Sequence, residues 1–201
     1  NNTNSWLTKV TWQNMAQMVV MFLAVTFVCN SDRVFHERMK MERLMRQGLY
    51  TEALSVGSHS EQTDSSLTML RIACMHNCQN MGDKLFTYPL VGGSKAMIPD
   101  SVTVRALMWK SPRWMHPAWI GKRGYKVPVD YTLCGYLLDK DLDRFVVEVQ
   151  KHYHVASASL PRHYKEALML YTHRRTHPKL VYRNNVMEAD LQDYQQLEHK
   201  F

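Results

Sequence analysis

Two places in the chain put metal-type ligands one helical turn apart. In Cys74-Met75-His76-Asn77-Cys78 the two thiols share a helix face, but His76 points away from both. No second Cys/His pair follows at a zinc-like spacing, so the thiols read as packing groups inside a helix. His173 and His177 (HRRTH) have the i, i+4 spacing of a zincin helix. That chemistry needs a Glu beside the first His as general base, and Arg174 stands there instead. Pro178 is expected to end the helix, leaving the pair on a solvated last turn with Arg174 and Arg175. His152 and His154 fall at another helix end. No nucleophile elbow, phosphate-cradling glycine loop, dinucleotide fingerprint or paired-carboxylate motif occurs. No catalytic residue, metal or cofactor is assigned, although acid–base groups far apart in sequence escape any reading of spacing.

One segment remains as a candidate binding surface. From Ser101 to Val129 there is no Asp or Glu, and cations alternate with flat rings: Trp109, Lys110, Arg113, Trp114, Trp119, Lys122, Arg123, Tyr125 and Lys126. The formal net charge of +7 comes almost entirely from this stretch. Cations beside rings suit single-stranded nucleic acid, through phosphate contacts and base stacking. They equally suit an anionic lipid surface, with Trp at headgroup depth. A third reading packs the tryptophans on neighbouring helices and leaves the cations in water.

The elements that must position this arm start with a membrane-length stretch. Val10 to Ser31 passes without a charge between Lys9 and Asp32. As a helix it reaches roughly 33 Å, enough to cross a hydrocarbon core. Trp12 stands where an interfacial ring would stand. A buried core helix and a cleaved signal peptide compete with a span. Because the chain begins at Asn1 rather than Met, a span inside a longer protein is preferred, and the C-terminus at Lys200-Phe201 also falls within a helical pattern.

The expected organisation is a preceding loop (1–9), a transmembrane helix (10–31), helical hairpins (32–88), the irregular basic aromatic arm (89–128) and further hairpins (129–201). Arg33 to Gln47 reads as an amphipathic helix whose stripe is Phe35, Met39 and Met45, flanked by Val34, Met41 and Leu44. Gly48 and Gly82 lie 34 residues apart, the tetratricopeptide period, each introducing a second helix. Pro and Gly punctuate 89–128, with one short helix expected at Ser101 to Trp109. Helices follow at Val129 to Leu138, Asp141 to Tyr153 and Arg162 to about Arg174, the last opened by Pro161. Asn185 with Glu188 suggests a capping box for Val186 to Phe201. The fold class is all-α: an N-terminal membrane helix followed by a tetratricopeptide-like domain. Four cysteines form no disulfide framework, and the 14 methionines favour helical packing.

Three runs carry a family resemblance: Tyr131 to Phe145 (YTLCGYLLDKDLDRF), Leu160 to Leu168 (LPRHYKEAL) and Tyr182 to Asp190 (YRNNVMEAD). They resemble the C-terminal region of an uncharacterised family of multi-spanning membrane proteins from anaerobic Gram-negative gut bacteria. The resemblance covers roughly Phe35 to Phe201. It implies a series of membrane helices followed by a tetratricopeptide-like soluble part, with Val10 to Ser31 as the last span. This chain lacks most of that membrane part, its arm is shorter than the family's helical stretch, and the family lends no catalytic residue.

The expected function is a non-enzymatic interaction domain on an inner-membrane protein, presenting hairpins to a protein partner. The alternative is an accessory domain of a membrane enzyme, of glycosyl-transfer type, whose active site lies in membrane helices outside this chain. Nucleic-acid binding through the arm is a third hypothesis, ranked below both, and no nucleic-acid partner is expected. Arg33, Arg38, Lys40, Arg43 and Arg46 follow the span and only Lys9 precedes it, so positive-inside bias places the domain in the cytoplasm. Membrane association is expected, and anionic headgroups are a possible contact of the arm.

Overall fold

The computed structural model describes residues 2–28, 32–60, 62–98, 103, 107–115 and 126–198. The chain divides into two compact units, Asn1–Arg33 and Val34–Phe201. Among the described residues every regular element is a helix.

The first unit is helix α1, Asn2–Val28, so residues 2–9, expected as a loop before the span, continue the same helix. Its segment Thr8–Phe27 has a mean hydropathy of 1.3 with no part buried, and apolar residues run around the helix from Met18 to Phe27. A helix of this length and composition can cross a membrane. Two of its polar groups are satisfied on their own helix, as a lipid-crossing segment requires. The Thr11 hydroxyl donates to the Thr8 carbonyl at 2.9 Å, and that of Thr26 to Leu23 at 2.8 Å. The end of the expected span, Cys29 to Ser31, lies outside the described residues.

The second unit holds α2 (Arg33–Arg46, whose first residue belongs to the other unit), α3 (Tyr50–Ser55), α4 (Ser65–Asn77), α5 (Met81–Lys84), α6 (Val129–Leu138), α7 (Leu142–His152), α8 (Arg162–Arg174) and α9 (Asn185–Glu198). Short 3-10 turns at Leu85–Thr87, Gly93–Ala96 and Arg113–Met115 punctuate the middle. α6 and α8 have the expected bounds, α8 directly after Pro161. The helix expected after Gly82 shrinks to the four residues of α5, and the one at Ser101 to Trp109 falls mostly outside the described residues.

Three helix-to-helix turns use one device. At the end of α2, Leu49 N–H bonds to Leu44 O and Gly48 N–H to Met45 O, with Gly48 at φ 78°. The same paired bonds close α4 through Asn80 and Gln79, and α6 through Asp141 and Lys140. Each is a Schellman turn with a left-handed residue past the helix end: Gly48, Gln79 (φ 54°) and Lys140 (φ 60°). The equivalent of Gly48 is therefore Gln79, and the expected match with Gly82 does not hold. Gly82 lies inside α5, where a Cβ would stand 2.6 Å from Pro161 Cβ. One glycine serves a turn and the other a close approach.

Helix α4 is the centre. Every residue from Leu67 to Met75 is buried, against α3 and α5, so the helix has no solvent face over that length. Arg71 is the polar member, fully enclosed. Its guanidinium donates to Thr63 Oγ1 at 2.7 Å, Pro89 O at 2.8 Å and Gly57 O at 3.0 Å, tying the loops on either side of α4 to its middle. Burial lowers its basicity, and the charges of Glu37 and Asp64 oppose that shift. Asp64 caps α4 by accepting Leu67 N–H at 2.7 Å. At α9 the cap is Asn184, whose Oδ1 accepts from Val186 and Met187, so the expected cap at Asn185 is off by one.

In α2 the apolar stripe is rotated from its expected position. Met41 and Met45 are buried and Val34 and Leu44 pack beside them, while Phe35 is 40% exposed. Glu42, expected on the polar face, is fully buried.

Candidate functional site

One polar cluster in the second unit joins α6, α8 and the residue that ends α7. Asp130, in the first turn of α6, accepts the Tyr153 hydroxyl at 2.6 Å and the Tyr164 hydroxyl at 2.9 Å on the same oxygen. Cys134, one turn along α6, meets Tyr164 Oη at 3.5 Å. Tyr164 stacks edge-on with both Phe145 and Tyr153. Beside the cluster, His76 of α4, Trp114 of the arm and Tyr131 of α6 form an edge-to-face triangle, with ring centroids 4.7 to 5.5 Å apart.

Burial holds the thiol, the phenols and the imidazole around this cluster in their neutral forms. Burial pushes the Cys134 thiol up to about 12 and raises Cys74 as well. Tyr131, Tyr153 and Tyr164 are all raised, burial being the largest cause for each. Burial lowers His76 against the opposing charge of Asp130. A neutral thiol and neutral phenols are poor nucleophiles at neutral pH. What the arrangement supplies is a hydrogen-bonded junction of three helices.

A second polar centre clasps the arm. Glu42 Oε1 pairs with Arg38 at 2.8 Å, while Oε2 accepts Met108 N–H at 2.5 Å and Trp109 N–H at 3.3 Å. A buried carboxylate with a cation and two amide donors is satisfied. It fixes the backbone of 108–109 on α2.

This clasp decides where the candidate binding residues lie. Trp109 is 7% exposed and Trp114 is in the aromatic triangle, so both rings are engaged with the unit's interior and neither stands free as a surface platform. Lys110, Arg113 and Lys126 are exposed. Trp119, Lys122, Arg123 and Tyr125 lie outside the described residues. Among the described arm residues the tryptophan rings are packed and the cations face water.

The metal-type pairs are also placed. Cys74 is buried, and Cys78 caps α4 with its sulfur 3.8 Å from Thr51 Oγ1. α8 ends at Arg174, before His177, so the two histidines share no helix; His173 Nδ1 donates to Met169 O at 3.0 Å. His152 pairs with Glu148 at 3.1 Å. Among the described residues no group of three or more His, Cys, Asp or Glu could hold a metal ion.

Sequence reading missed Asp130 and Glu42. Asp130 looks like an ordinary first-turn acid, and its partners come from two other helices. Glu42 carried one local signal, Arg38 at i−4.

Residues 122–201 match a family of unknown function (DUF6057). The match covers α6 to α9 and so contains Asp130, Cys134, Tyr153 and Tyr164. It agrees with the expected domain of unknown function over the C-terminal part of the chain. No curated protein and no solved structure matches the chain.

Proposed function

We propose that the chain is a membrane-anchored helical-hairpin interaction domain of an integral inner-membrane protein, with its second unit in the cytoplasm. The observation that carries this reading is α1, apolar around the helix from Met18 to Phe27 and long enough to cross a bilayer, joined to a separately cored helical unit. The cations that follow it on α2 support the cytoplasmic side. The repeated helix–Schellman–helix units support a tetratricopeptide-like scaffold, which offers grooves between helices to a protein partner.

One such groove runs between α8 and α9. It encloses about 520 Å³, with Met169, Leu170, Met187, Leu191 and Tyr194 between Arg162 and Arg174. An apolar floor with charged rims suits a segment of a protein partner. The test is in-cell cross-linking of the full chain followed by mass spectrometry. Discrete adducts with another protein, lost in Leu191→Arg, are expected. No discrete adduct from the parent chain contradicts the interaction reading.

A further inference from the structure

We propose that the solvent face of α2 docks on anionic lipid headgroups and holds the start of the helical unit against the bilayer. The inference rests on α1 crossing the membrane. Phe35, Met39, Arg43 and Arg46 follow i, i+4, i+8, i+11 and form one stripe, with Lys40 at its edge. Lys40, Arg43 and Arg46 are exposed, Phe35 is exposed, and Met39 is half-buried.

What makes this face cationic is the disposal of the acids. Glu42 is turned inside and committed to Arg38 and the arm. Glu37 is half-buried on the other side of the helix, against Gly57. The helix carries five cations against two acids, and both acids are withdrawn from the face that meets solvent. Cations with an aromatic and a methionine on one face suit the headgroup layer, where phosphate meets Arg and apolar groups enter the boundary.

Covalent reach favours lipid over any other polyanion. α1 ends at Val28 and α2 begins at Arg33. Five peptide steps extend at most about 18 Å, so α2 begins within that reach of whichever bilayer surface α1 leaves, and Lys40 to Arg46 follow about 10–20 Å along the helix. Each cation near an anionic surface is worth about fivefold in partition, and the three together about a hundredfold. The interaction fades beyond a Debye length of roughly 8 Å at physiological salt.

The test uses the full chain in nanodiscs, with a polarity-sensitive dye on Phe35→Cys in a Cys29→Ser, Cys78→Ser background. Met39→Cys is the second labelling site if the first variant fails to melt cooperatively. The expected result is a blue-shifted dye in discs containing phosphatidylglycerol but not in pure phosphatidylcholine. High salt should reverse the shift, and Lys40→Gln/Arg43→Gln/Arg46→Gln should abolish it. Equal spectra in the two lipids overturn the inference. So does a response to a single-stranded oligonucleotide without one to anionic lipid, which would assign the face to nucleic acid. Alkaline carbonate extraction of the same preparations separates the two failures. Release from the bilayer removes the membrane reading, whereas retention with equal spectra removes only the lipid face.

Discussion

The carboxylate of Glu42 accepts the backbone N–H of Trp109 at 3.3 Å from the fully buried interior of the helical unit. Sixty-seven positions separate the two residues along the chain. The contact fixes a stretch with little regular structure, and it removes an acid from the surface of α2.

Glu42→Ala is expected to destabilise the unit by about 2–4 kcal/mol, because Arg38 and two amides lose their buried acceptor. Glu42→Gln keeps one acceptor oxygen and should cost less. Urea melts of the two variants rank them. Hydrogen exchange over residues 107–115 should rise in Glu42→Ala before the rest of the unit opens.

The Schellman turns predict substitutions of opposite sign. Gly48→Ala places a side chain at φ 78°, and should cost about 1 kcal/mol although open space surrounds it. Lys140→Gly relieves a left-handed Lys in the same kind of turn and should stabilise by about 0.5–1 kcal/mol. Thermal melts check both. A loss on Lys140→Gly would contradict the assigned turn.

Gly82→Ala tests a contact rather than a turn. Its methyl would meet Pro161 at 2.6 Å, forcing α5 away from α8 at about 1–3 kcal/mol. Pro161→Ala trims the opposing ring, and the double variant should recover part of the loss. Simple additivity of the two losses would contradict direct contact.

The buried thiols predict alkaline lability. Folding raises Cys134 to about 12 and also raises Cys74, so both stay protonated in the folded state while the unfolded chain ionises near 8.5. Their contribution is intact below about pH 8.5 and is lost as pH rises toward the folded values. Each group adds a slope of about 1.4 kcal/mol per pH unit in that window. Urea midpoints from pH 7 to 10.5 should fall, and Cys74→Ala/Cys134→Ala should flatten the fall at its start.

Features set by neighbours in sequence were legible. Pro161 announced α8, and the uncharged run announced the body of α1 but not its start at Asn2. Features set by distant partners were not. Nothing local distinguishes Asp130 from any acid in a helix's first turn, because Tyr153 and Tyr164 give it its role. Composition ranked Phe35 above Glu42 as a core residue, but the clasp on 108–109 pulls Glu42 inward and leaves Phe35 outside. Glycine spacing misled for a related reason: a left-handed turn residue can be Gln79 or Lys140, so it is the turn geometry that recurs and not the glycine. Four of the nine arm residues lie outside the described chain, and of two more the Trp109 ring is in the core and the Trp114 ring packs against it.

The most direct measurement on the central claim is alkaline carbonate extraction of membranes carrying the full chain, followed by protease treatment of intact spheroplasts with a C-terminal tag. A membrane-anchored domain facing the cytoplasm predicts a chain retained in the pellet and a tag protected until lysis. Release into the supernatant would contradict the anchor, and a retained chain with a digested tag would contradict the cytoplasmic side.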